Sequence, residues 1–145
     1  MLPAETESHL YAGRLWTRAK EYRDAFAALN VSEGSSLIFP AYHLLCHSTE
    51  LGLKAYLAAN GTTVDQLHHI GHDASRALKA AERAGLTAPA GLKDLVRWSK
   101  ALNGRRHSLR YPGEVLVNVP HTDEGLAVID GLLNEIQAIV QGRNL

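Results

Sequence analysis

Residues 37–60 read LIFPAYHLLCHSTELGLKAYLAAN, and Gly61 closes the run. Leu and Ala dominate it, and its only charged side chains are Glu50 and Lys54. A stretch this long and this poor in charge is a helix that lies against other helices on most of its sides. Pro40 fits because a proline in the first helical turn removes no intrahelical hydrogen bond, and the glycine at the end is a common helix stop. The run reads as the central helix of an all-α chain.

Working outward, the residues before it give a first helix that begins near Pro3, carries Glu5 and Glu7 where a helix start favours negative charge, and runs to Asn30. Leu15, Ala19, Tyr22, Phe26 and Leu29 recur at four and three residues and so share one face. Arg14, Arg18, Lys20, Arg23 and Asp24 fall on the other sides, as on a solvated surface. Downstream, GTTVDQLHHIGH reads as a loop leading to Asp73, which caps a helix through Ala74, Ala77, Leu78 and Ala81 that stops at Gly85. Thr87 and Pro89 open another, with Leu92, Leu95, Val96, Trp98 and Leu102 on its apolar side. An irregular loop spans residues 104–121, with a short β-favouring run at Val115–Val119 bounded by Gly113 and Pro120. Thr122, Asp123 and Glu124 then start a last helix, lined by Leu126, Ile129, Leu133, Ile136 and Val140. The expectation is one domain over residues 1–145, an antiparallel bundle of about five helices joined by short connections.

Composition agrees. With 46% hydrophobic and 21% charged residues the chain resembles ordinary globular domains, not disordered or fibrous ones. Fifteen basic and fifteen acidic residues cancel, so attraction to nucleic acid or an anionic surface has to come from local clusters. A single cysteine, Cys46, rules out an internal disulfide and fits a reducing compartment. No basic segment followed by an apolar one opens the chain, and no apolar run is long enough to span a bilayer, which together point to the cytoplasm and away from a membrane.

On the central helix His43, His47, Glu50 and Lys54 follow one another at four, three and four residues. At about 100° per residue they project within roughly 60° of one another. Such a line faces water, a cleft or a partner, because unpaired charge is costly to bury. One reading is the wet side of an amphipathic helix, with Glu50 and Lys54 as an exposed i,i+4 pair. The other is a groove in which imidazole and carboxylate exchange protons with a ligand. His43 and His47 also have the spacing that places two imidazoles on one cation, with His68, His69 and His72 not far along the chain. Yet LLC separates the pair where zinc proteases carry a glutamate directly after the first histidine, so no metal site is read.

Three segments, HSTELGLKAYLAANG, GHDASRAL and LRYP, together resemble the HEPN proteins, small helical bundles of prokaryotes that often travel with nucleotidyltransferases. The resemblance runs from about Phe39 to Pro112, with a flanking helix at each end. Glu50 and Lys54 match the family's Glu and Lys on its second helix, His72 and Asp73 its His-Asp pair, and Arg110, Tyr111 and Pro112 its Arg-Tyr-Pro loop. It implies a homodimer, and a role as a toxin, phage-defence effector or regulator that binds RNA or a nucleotide, in some members as a metal-independent ribonuclease. Those ribonucleases place an Arg and a His four to six residues apart. Here Arg105, Arg106 and His107 are adjacent and no other arginine precedes a histidine at that distance, so binding is expected ahead of cleavage.

The residues by themselves support binding too. Arg105, Arg106 and Arg110 concentrate guanidinium groups suited to phosphate oxygens, with Tyr111 as a stacking surface. Basic residues after a helix also complement its negative end, and Asp73 needs no function beyond capping. The candidate acid–base and charge-stabilising residues are therefore His47, Glu50, Lys54, His107 and Arg110. The candidate ligand contacts are His43, His72, Asp73, Arg105, Arg106 and Tyr111, with no metal and no cofactor. The competing expectation is a non-catalytic dimeric interaction module.

Overall fold

The computed structural model describes residues 4–29, 38–102 and 122–142. These form six helices and no strand: α1 (Ala4–Leu29), α2 (Ile38–Ala59), α3 (Val64–Ile70), α4 (Ala74–Arg83), α5 (Leu92–Leu102) and α6 (Thr122–Gly142). The all-α bundle expected from periodicity is what forms. The expected β-favouring run and the whole of the irregular loop lie outside the described residues.

The central position of α2 follows from its composition, because it is the one helix that packs against all five others. Ala41, Leu45, Leu53, Ala55 and Leu57 are buried among its neighbours. Antiparallel packing against α1 is visible in the pairs that meet: Ser48 Oγ donates to the Ala19 carbonyl at 2.7 Å, and farther along the rings of Phe26 and Tyr42 touch. Helix α6 also runs antiparallel to α1, with Trp16 Nε1 donating to the Leu133 carbonyl and Arg23 forking onto both oxygens of Asp130 at 2.7 and 3.0 Å. Arg23, read as solvated surface, is thus a clamp between α1 and α6. Ile129, Leu133, Ile136 and Val140 are all buried, as their spacing requires.

Two boundaries differ from the sequence reading. The segment after Gly61 is not wholly a loop: Thr63 and Gln66 form a reciprocal capping box that starts α3, and Gly71 ends it at φ +64°, a conformation in which any Cβ is strained. Helix α5 starts at Leu92 and not near Thr87, because residues 86–89 are non-helical and Gly91, at φ +86°, supports a turn directly before the helix. Asp73 does cap α4, its side chain accepting from the Arg76 N–H at 3.1 Å, and Ala74, Ala77, Leu78 and Ala81 bury its apolar face. No helix among the described residues is long and apolar enough to cross a membrane.

Candidate functional site

The polar line on α2 is one line, as its spacing demands, but it is not a wet face. Glu50 is only 6% exposed, and the solvated Glu50–Lys54 pair read from the sequence is corrected accordingly. The turn between α3 and α4 carries His72 across to Glu50. His72 Nδ1 lies 2.9 Å from Glu50 Oε1, Lys54 Nζ lies 3.8 Å from the same oxygen, and His47 Nδ1 lies 3.4 Å from Oε2. One carboxylate thus gathers two imidazoles and an ammonium.

The electrostatics follow from that count. Burial pushes the Glu50 carboxyl up, but the His47 hydrogen bond, the charges of Lys54 and His72 and the His72 hydrogen bond together outweigh it, so the group sits below its ordinary value of 4.5. Glu50 is therefore an anion at neutral pH. A carboxylate has no proton to give, so His72 turns a protonated Nδ1 toward it at 2.9 Å, and the longer 3.4 Å approach of His47 Nδ1 favours the same tautomer. In the neutral imidazole Nε2 is then the proton-accepting nitrogen.

The two histidines differ in what surrounds them. The side chain of His72 is 82% exposed and serves as a strap from the α3–α4 turn to α2. His47 is about one-third exposed and lines a groove of about 470 Å³ between α1 and α2, together with Arg18, Glu21, Tyr22, Leu44 and Leu51. The ring of Tyr22 meets that of His47 edge to face at 4.5 Å and 88°, which fixes the imidazole from the α1 side while Glu50 fixes it from below. His43, one turn earlier and half-buried, lies parallel to His47 at 6.4 Å between ring centroids.

Of the residues singled out from the sequence, His43, His47, Glu50, Lys54 and His72 come together, while Asp73 is occupied as the α4 cap. Arg105, Arg106, His107, Arg110 and Tyr111 lie outside the described residues. Arg18 and Tyr22 were not singled out: on α1 they read as surface and apolar face, and only the packing of α1 on α2 brings them beside His47. Among the described residues no three His, Cys, Asp or Glu side chains are gathered as metal ligands.

The arrangement has parts of an acid–base site: an imidazole beside a buried carboxylate, lining a groove that also holds a guanidinium. Comparison of the chain with protein-family models, with curated proteins and with solved structures finds no match.

Proposed function

We propose that this chain is a HEPN-like, cytoplasmic bundle that binds RNA or a nucleotide in a toxin, defence or regulatory setting, as a homodimer and beside a nucleotidyltransferase-type partner. The observation that carries the ligand class is His47, held at Nδ1 by the buried Glu50 and lining a groove with Arg18. A guanidinium takes phosphate oxygens in a forked pair of hydrogen bonds, and Tyr22 offers a ring to a base. Arg105, Arg106, Arg110 and Tyr111 extend the same chemistry along the sequence.

If the ligand is cleaved, the chemistry is transesterification. His47 Nε2 takes the proton of a ribose 2′-hydroxyl, the freed oxygen attacks phosphorus, and the 5′-oxygen leaves with a proton from a second acid, for which His107 is the candidate. Arg18 and Arg110 then offset the charge of the phosphorane. Lys54 is less suited to that task than its sequence position suggested, since its ammonium is engaged by Glu50.

The test is fluorescence anisotropy of a labelled single-stranded RNA, with EDTA present, against the wild type and the His47→Ala and Arg18→Ala variants. Each variant is expected to weaken binding about tenfold or more, the loss of one charge-assisted contact, and binding is expected to fall as salt rises. Equal binding by all three proteins removes the groove from the account. The competing reading, an interaction module, draws on Phe39, which is 57% exposed at the start of α2. Under that reading Phe39→Ser dissociates a dimer and leaves RNA without effect.

A further inference from the structure

A second cleft lies on another part of the bundle, between α3 and α4. It has a volume of about 590 Å³, and its charged lining is all basic: Arg76, Lys79 and Arg83, with His69 facing them from α3. The three cations stand at i, i+3 and i+7 of α4 and so share one face. Like charges at this spacing repel one another on a bare helix. The neighbouring carboxylates do not relieve them. Asp73 accepts the Arg76 backbone N–H as the α4 cap, and Glu82 is paired with Lys93 at 3.5 Å. Among the described residues, none of Arg76, Lys79 and Arg83 has a salt bridge.

The opposite wall is held in place as well. His69 Nδ1 lies 2.8 Å from the Asp65 carbonyl, and since a carbonyl only accepts, this nitrogen carries the proton and the ring is fixed on α3. Arg76 already bridges the cleft, one guanidinium nitrogen lying 3.4 Å from the His69 carbonyl, which leaves its other N–H groups for a ligand. Ile70 and Ala80 give the cleft an apolar floor. A single inorganic phosphate engages one or two of these cations. A row of three spread over two helical turns, about 10 Å, matches a chain of linked phosphates.

From this row and its facing wall we infer that the α3–α4 cleft is a binding site for an oligophosphate chain, carried by a free polyphosphate or by the triphosphate of a nucleotide. It is distinct from the His47 groove and does not depend on the reading given to that groove.

Isothermal titration calorimetry of the full chain with tripolyphosphate, ATP and orthophosphate tests it. Tripolyphosphate or ATP, whichever is the source, is expected to bind at least about tenfold more tightly than orthophosphate, and the better of the two identifies the carrier. The double variant Lys79→Glu/Arg83→Glu is expected to lose that binding, while His47→Ala keeps it. Both altered positions are exposed, and Lys79→Ala/Arg83→Ala gives the same comparison if charge reversal disturbs folding. Undiminished tripolyphosphate binding by folded double variants, equal affinity for all three anions, or a loss on His47→Ala equal to that of the double variants would overturn the assignment.

Discussion

Replacing Glu50 by Ala is expected to destabilise the bundle by about 2 kcal/mol in urea-induced unfolding followed by circular dichroism. Removing one partner of a buried ion pair costs roughly 3–5 kcal/mol where the stranded charge cannot reach water. Here the side chain of His72 is 82% exposed and His47 lines an open groove, so only Lys54, 13% exposed, is left as a covered charge and the loss falls just below that range. Glu50→Gln keeps an acceptor for His72 and loses less. The pH dependence has a definite sign. Because the folded carboxyl sits below 4.5, its contribution is fully present above that value and is lost as pH falls through the folded one. The gap between wild type and Glu50→Gln is therefore expected to narrow as pH drops below about 4.5. A gap that holds constant down to pH 2 would show that Glu50 is not held as an anion.

A larger loss, about 3–5 kcal/mol, is expected for Phe26→Ala in the same unfolding measurement. Phe26 is fully buried on α1, and its ring meets Tyr42 of α2 at 5.7 Å, which in turn meets Trp98 of α5 at 5.2 Å. The truncation opens a cavity at the point where three helices are joined by aromatic edges, and the smaller Phe26→Leu change separates lost volume from lost ring contact. Destabilisation of under about 1 kcal/mol for Phe26→Ala would mean that the junction collapses around the gap.

The fold was legible because four of the helices carry apolar residues at three-and-four spacing, and most of those residues are buried: Leu15, Ala19 and Phe26 on α1, and Ile129, Leu133, Ile136 and Val140 on α6. Helix α3 was hidden because it is seven residues long and buries only Leu67, too little for any period to show. Its Thr63-x-x-Gln66 capping box was nevertheless in the sequence. Spacing placed His43, His47, Glu50 and Lys54 on one line correctly; of its two readings, the exposed Glu50–Lys54 pair fails, since those side chains are 8% and 13% exposed. Periodicity says which residues share a side of a helix; it does not say that a turn 22 residues later will bring His72 onto that side. The groove beside His47 and the basic cleft have the same origin. Arg76, Lys79 and Arg83 are readable as one face of α4, but the wall opposite them comes from the short helix that the sequence concealed.

His47 is the group proposed to meet an RNA or nucleotide ligand. The most direct measurement is a titration of the ¹³C-labelled protein with a short single-stranded RNA, following the Cε1–H resonances of the histidines by NMR. His47 is expected to shift in a dose-dependent way, with the exposed His68 on α3 as the unmoved reference. An unmoved His47 in the presence of bound RNA, with shifts confined to His69 or to no histidine at all, would contradict the account and place the ligand elsewhere on the bundle.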